Sequence, residues 1–173
     1  MENIILIGFM GSGKTSAGEQ LAERLGYSFQ DTDLMIEEKC NKTISNIFAE
    51  EGEEYFRKLE TKVISELFGI LKHSVLSVGG GLPITEGNAA LLNRLGQVVY
   101  LKASKETIGK RLEGDTTRPL LAGQDADKKV EELLNYRGPI YEATAQHVVE
   151  TDDKSFDIII AEIIRLCGIG ERK

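Results

Sequence analysis

Three observations predict an α/β fold built on a parallel sheet with helices on both faces. Short, continuously apolar runs alternate along the chain with stretches whose apolar residues recur at helical spacing, the pattern of strand–helix units feeding a sheet buried on both sides. The first apolar run, Ile4–Ile7, enters Gly8-Phe9-Met10-Gly11-Ser12-Gly13-Lys14-Thr15, a complete G-x-x-x-x-G-K-[ST] loop standing between a strand and a helix. The chain has 173 residues, a length that fits one domain with its own core, and no repeat, linker or low-complexity segment divides it.

The elements follow in order. Ile4–Ile7 reads as a buried strand. Lys14–Leu25 reads as a helix, with Ala17, Leu21, Ala22 and Leu25 on one face and Gly26 just past its end. Residues 28–31 form a short strand, 34–39 a helix, and 44–49 one or two further helical turns. A longer helix is expected over 53–71, with Leu59, Val63 and Leu67 along its buried stripe. Val75–Val78 is a second clear buried strand, entering Gly79-Gly80-Gly81. A helix over 88–95, a strand over 98–101 and a helix over 105–112 come next. Residues 114–124, with Thr116, Thr117, Pro119 and Gly123, show no periodicity and read as an exposed loop. Residues 128–136 are helical, Pro139 breaks or restarts that helix, 147–150 form the last strand, and 156–167 a closing helix.

Composition narrows the partners. Asp and Glu outnumber Lys and Arg by 28 to 21, a net charge of −7, so the surface as a whole repels a nucleic-acid backbone. An anionic ligand must therefore bind through a local cluster of donors. No apolar stretch approaches the roughly 20 residues of a membrane span, and the N-terminus lacks the basic segment and length of a signal peptide. A cytoplasmic protein is expected, with Cys40 and Cys167 as free thiols.

Ligands of open parallel sheets bind beyond the carboxyl ends of the strands, so the residues at those ends carry the functional reading. In the loop after the first strand, Gly11, Ser12, Gly13 and Ser16 offer backbone and side-chain donors to phosphate oxygens. Lys14 can reach the β- and γ-phosphates of ATP, and the Thr15 hydroxyl can ligate Mg²⁺. After the second strand comes Asp31-Thr32-Asp33. One of these residues suffices to cap the next helix, which leaves a carboxylate to orient Mg²⁺ and another to accept from a substrate hydroxyl. The third strand ends in Gly79-Gly80-Gly81, where absent side chains let a substrate lie on backbone N–H groups, or which is simply a flexible turn. No acidic residue follows that strand, so Asp31 is the natural metal-orienting residue. Arg57, Arg118 and Arg137 are open on composition alone. Arg57 has Glu53 and Glu60 at helical spacing and reads equally as a solvated ion pair; Arg118 lies on the loop; Arg137 precedes Gly138-Pro139. His73 and His147 show no partner pattern.

These features together resemble the shikimate kinase family. The resemblance runs through the P-loop, Asp31-Thr32-Asp33, Phe56-Arg57 with Glu60, Gly79-Gly80-Gly81, Thr117-Arg118-Pro119-Leu120-Leu121 and Arg137-Gly138-Pro139-Ile140-Tyr141, in order and over nearly the whole chain. It implies a five-stranded parallel P-loop sheet in the order 2-3-1-4-5, related to nucleoside monophosphate kinases, with a mobile lid over about 114–124 and a substrate-binding helical region over about 33–61. It implies phosphorylation of the 3-hydroxyl of shikimate by ATP with Mg²⁺, by a monomer. By position it assigns the acid substrate to Asp33, Arg57, Glu60, the glycine run and Arg137, and makes Arg118 the lid arginine. Lys14, Asp33 and Arg118 become the catalytic set, and Arg111 and Lys154 fall where relatives contact the nucleotide. Phe9-Met10 replaces the Leu-Pro of some members at positions that contribute backbone. A gluconate kinase and a non-catalytic nucleotide-binding relative are the competing readings. A GTP-dependent switch lacks its motifs, since Asn41-Lys42 is followed by Thr43 and Ile44.

Overall fold

The computed structural model describes residues 3–113 and 126–170. Its elements are β1 (Ile4–Ile7), α1 (Lys14–Leu25), β2 (Ser28–Asp31), α2 (Thr32–Cys40), α3 (Ile44–Glu66), β3 (Ser74–Ser77), a 3₁₀ turn (Leu82–Ile84), α4 (Asn88–Leu95), β4 (Gln97–Lys102), α5 (Lys105–Leu112), α6 (Ala126–Thr144), β5 (His147–Glu150) and α7 (Phe156–Cys167). The strands form one parallel sheet in the order β2-β3-β1-β4-β5, as the sequence resemblance implies. The segments expected to form the lid, with Arg118, lie outside the described residues.

β1 is central because it is apolar on both faces. All four of its side chains are buried. Ile5 and Ile7 enter one core with Leu76, Val98, Tyr100 and residues of α3, α4 and α6; Ile4 and Leu6 enter the other with Val75, Val99, Val149 and residues of α1 and α7. Alternation along a strand sends successive side chains to opposite faces, so each helical layer receives half of every inner strand. Full burial of one such side chain contributes about 1.5–3 kcal/mol.

The register decides which loops meet. Leu6 stands opposite Ser77, and Ser77 opposite Asp31. Two residues beyond that row, the chain reaches Gly8, Gly79 and Asp33, so the P-loop, the glycine run and the start of α2 emerge at one level of the sheet's carboxyl edge.

Several boundaries differ from the sequence reading. The helix expected over 53–71 ends at Glu66, where Leu67 closes the last turn and Gly69 takes φ 79°. The separate turns over 44–49 belong to the same α3, which bends at Gly52, a residue with φ 85° and ψ 172°. Its buried stripe runs through Phe56, Glu60, Val63 and Ile64, with Leu59 only partly buried. Pro139 does not end a helix: α6 continues through it to Thr144. Pro139 has no N–H for the carbonyl of Asn135, but Val130, Leu133 and Leu134 before it and Tyr141 after it pack into the same core and hold both halves in line. β3 begins one residue earlier than expected, at Ser74, and β4 gains one residue at each end.

At the opposite edge a single polar side chain ties three segments together. Asn3 Nδ2 donates to the carbonyls of Leu71 (2.9 Å) and Leu95 (3.0 Å), and Asn3 Oδ1 accepts from the Ser74 N–H (3.2 Å). Periodicity gives no hint of it, because Asn3 precedes the apolar run. Replacing Asn3 by Leu leaves three backbone groups buried without partners, each costing about 1–3 kcal/mol. Asn3→Leu is expected to lower the free energy of urea unfolding by about 2 kcal/mol or more; an unchanged midpoint and slope would show that solvent reaches those groups.

Candidate active site

The phosphate end is built by the turn from β1 into α1. Gly13 caps α1 in the left-handed region, φ 92°, and among the described residues no side chain caps the helix N-terminus, so the first-turn N–H groups face outward with the positive end of the helix dipole. Lys14 Nζ folds back over the loop and donates to the carbonyls of Gly8 (2.7 Å) and Phe9 (3.0 Å). Ser12 Oγ is buried without a hydrogen-bond partner among the described residues. Arg111 crosses from α5 to donate to the Gly11 carbonyl at 3.0 Å.

Asp31 performs two tasks, one per oxygen. Oδ1 caps α2 by accepting from the N–H groups of Asp33 (2.8 Å) and Leu34 (3.3 Å), while Oδ2 accepts from the Thr15 hydroxyl at 3.2 Å. The capping residue and the candidate metal-orienting residue are therefore the same side chain, and it stands beside Thr15. Thr32, fully buried, accepts from the Gly79 N–H at 3.0 Å and ties the start of α2 to the end of β3. Among the described residues no three His, Cys, Asp or Glu side chains form a metal-binding group. A cation held by Thr15 and Asp31 would take its other ligands from water and phosphate, as Mg²⁺ does.

The second half of the site lies on the glycine run. A Cβ on Gly79 would stand 2.8 Å from Asp33 Oδ1 and 2.9 Å from Glu60 Oε2; one on Gly81 would stand 2.3 Å from Arg57 Nη1; one on Gly80 would stand 3.4 Å from Arg137 Nη1. The run is thus a floor across which two carboxylates and two guanidinium groups converge, not a plain turn. Arg57 keeps both expected ion pairs, to Glu60 at 2.6 Å and Glu53 at 3.3 Å. The pair with Glu60 is not solvated, however, since the Glu60 side chain is 1% exposed. Burial pushes the Glu60 carboxyl up to about 7, against the pull of Arg57. Burial lowers the Arg57 guanidinium pKa, but Glu60 and Glu53 raise it further, leaving it above its ordinary value. Arg137, on α6, is 5% exposed, and its Nη1 has no partner among the described residues. Its guanidinium lies over the Phe9 ring, 5.8 Å from the centroid.

These groups line a cavity of about 610 Å³, walled further by Ile44, Phe48 and Phe56. A smaller cavity of about 200 Å³ lies over Gly11, Gly13, Lys14, Thr15 and Ser16. The two share Thr15, Asp31, Asp33, Gly79 and Gly80, so Asp33 stands at the boundary between a phosphate cradle and a chamber carrying two guanidinium groups.

Lys154 lines neither cavity and pairs with Glu162 at 3.1 Å. Two residues on, the Phe156 ring stands beside the P-loop, 3.5 Å from where a Gly13 Cβ would be. The sequence reading missed Phe156 because it looks like the first core residue of α7. It also missed Tyr141 as a support: the hydroxyl donates to the Gly80 carbonyl, and burial raises its pKa. The apolar wall of Ile44, Phe48 and Phe56 was equally unseen, since apolar residues at helical spacing read as core. Cys40 and Cys167 are free thiols, and burial pushes Cys167 up to about 11. No helix among the described residues is long and apolar enough to cross a membrane.

Comparison with known proteins agrees with this arrangement. A family model described as shikimate kinase matches residues 10–167. The chain is 46% identical over 148 residues to a shikimate kinase of Neisseria meningitidis serogroup C, covering 86% of each chain. It is 38% identical over 165 residues to one of Caldanaerobacter subterraneus subsp. tengcongensis, covering 95% of each. Among solved structures, a shikimate kinase from Acinetobacter baumannii in complex with shikimate is 40% identical and superposes with a TM-score of 0.92, over 96% of this chain and 92% of that one. With the P-loop, the carboxylates, the glycine floor and both arginines in one cleft, and with a match along nearly its whole length, the chain belongs to the shikimate kinase family.

Proposed function

We propose that this chain transfers the γ-phosphoryl group of ATP to the 3-hydroxyl of shikimate, giving ADP and shikimate 3-phosphate, with Mg²⁺ bound at Thr15 and Asp31. The observation that carries the reading is the shared wall of the two cavities. A phosphate cradle opens through Asp33 into a chamber lined by Arg57 and by a buried nitrogen of Arg137 that has no partner among the described residues.

Each group then has a task that its chemistry suits. Arg57 and Arg137 offer forked donors to the carboxylate of the acid. The glycine run lets the ring lie against backbone, and Ile44, Phe48 and Phe56 cover its apolar face. Asp33, at the junction, accepts from the hydroxyl that attacks and aims it at the γ-phosphate. Phosphoryl transfer through a loose transition state needs positioning and charge neutralisation above all. Lys14 supplies a cation from the P-loop, and Mg²⁺ held by Thr15 and Asp31 would supply further positive charge to the phosphates. Gly11, Ser12, Gly13 and Ser16 hold the phosphates, Arg111 flanks the nucleotide end, and Lys154 would reach it only by leaving Glu162. Arg118, which lies outside the described residues, is assigned on this reading to complete the charge on the transferred group. The enzyme works as a cytoplasmic monomer on this reading.

The direct test is a coupled ADP-release assay offering shikimate, gluconate and nucleoside monophosphates side by side. Turnover with shikimate alone is expected; turnover with gluconate in its place would move the chain to another acid substrate.

Lys14→Ala is expected to fold normally and lose about 10²–10³-fold in kcat; activity within twofold of wild type would remove Lys14 from the transition state. Asp33→Asn should lose turnover while ATP affinity stays nearly unchanged, as measured by nucleotide titration. A collapse of ATP affinity would instead place Asp33 in the metal site. Gly81→Ala introduces a methyl group into the space of the Arg57 guanidinium and pushes it off the buried Glu60, so thermal stability should fall with the loosening of that pair. The KM for shikimate should rise about tenfold or more, the loss of part of a charge-assisted contact, with the KM for ATP unmoved. An unchanged KM for shikimate would show that Arg57 does not touch the acid.

A further inference from the structure

Glu60 is fully buried and only half satisfied. Oε1 accepts from Arg57 Nη1 at 2.6 Å, whereas Oε2 is buried without a hydrogen-bond partner among the described residues. That oxygen faces Asp33 Oδ1 across the same Cβ-free point of Gly79. The charged groups around it are Arg57 on its own helix, Asp33 from α2 and Arg137 from α6. From the β3 end Gly79 lies against it, and the Tyr141 hydroxyl donates to the neighbouring Gly80 carbonyl. Burial holds its carboxyl at about 7, Arg57 pulling the value down and Asp33 pushing it up, with a smaller downward pull from Arg137.

We propose that Glu60 is a proton-linked positioning residue, taking up a proton on Oε2 when the carboxylate substrate binds to Arg57 and Arg137. The inference rests on the assignment of shikimate to this chamber. A substrate carboxylate neutralises the two cations that keep Glu60 ionised and adds a negative charge beside it; both effects favour the protonated form. The proton comes from solvent and stays on Oε2, where Asp33 or a substrate hydroxyl oxygen can accept a hydrogen bond from it. Oε1 continues to accept from Arg57, whose charge is then no longer shared with an ionised Glu60 and is directed at the substrate. Glu60 acts through Arg57, so its signature is a linkage and not merely a loss of binding. No histidine can produce the same signal. The chain has two; His73 immediately precedes β3 and His147 opens β5, both at the sheet edge opposite the site.

Isothermal titration of shikimate into the nucleotide-free protein, in buffers of different ionisation enthalpy, reads the proton directly. Because the complex binds the proton more tightly than the free protein, affinity falls as pH rises. At pH 7.5 an uptake of about half a proton per shikimate is expected, shrinking towards zero at pH 5.5, with affinity about fivefold weaker at pH 8 than at pH 6. Glu60→Gln, which holds the neutral shape permanently, should give the same enthalpy in every buffer and an affinity flat with pH. The wild-type series stands without the variant should Glu60→Gln not fold. Tight binding with buffer-independent enthalpy in wild type, or the same uptake in Glu60→Gln, would overturn the linkage while leaving the substrate assignment intact. Absence of shikimate binding at every pH would overturn the substrate assignment, and the linkage with it.

Discussion

A floor without side chains at the end of β3 is the constraint on which the site depends. Gly79 and Gly81 could not carry even a methyl group without pushing into Asp33, Glu60 or Arg57, and Gly80 leaves little room beside Arg137. The two guanidinium groups and two carboxylates can therefore approach one surface from α2, α3 and α6 at once. Their mixed charge matters as much as their closeness. Glu60 and Glu53 hold Arg57 in place, but Arg137 keeps one buried nitrogen without a partner among the described residues. Leaving a charged donor's N–H groups unsatisfied is costly, and an incoming carboxylate is the group that best relieves that cost.

The sheet supplies the rest by register. Because β2, β3 and β1 are parallel and level, the residues two past their matched row meet at one edge without any long loop. Asp31 then links the halves through its two oxygens, one fixing the start of α2 and the other reaching Thr15. Phosphate loop and acid chamber are in this way joined by a helix cap, and a shift in α2 would be felt at both.

Much of this was legible in the sequence for specific physical reasons. β1 and the P-loop announce themselves because a doubly buried strand must be continuously apolar and a phosphate cradle needs its glycines. Asp31, Asp33 and the glycine run were legible because each stands at a strand end. The length of α3 was not, because Leu67 and Leu71 keep the apolar period running past the stop that Gly69 sets; nor was the continuity of α6, because packing overrides the local rule at Pro139. The burial of Glu60 was equally hidden: its spacing from Arg57 is that of an exposed pair, and only the approach of Gly79 and α6 makes it interior. Phe156 and the Ile44–Phe48–Phe56 wall read as core since an apolar side chain looks the same whether it faces a neighbour or a cleft. Arg118 stands where composition and periodicity carry no signal, and only the resemblance to shikimate kinases gives it a role.

The central claim is that the buried guanidinium of Arg137 is reserved for the carboxylate of the substrate. The measurement that tests it most directly compares the binding of shikimate and of its carboxamide by wild type and by Arg137→Ala. Wild type should prefer the acid by about 2 kcal/mol or more, roughly thirtyfold, as expected for a desolvated charge pair, and the preference should shrink markedly in Arg137→Ala, where Arg57 alone is left to the carboxylate. A preference of the same size in both proteins would contradict the account, because the carboxylate would then be held elsewhere.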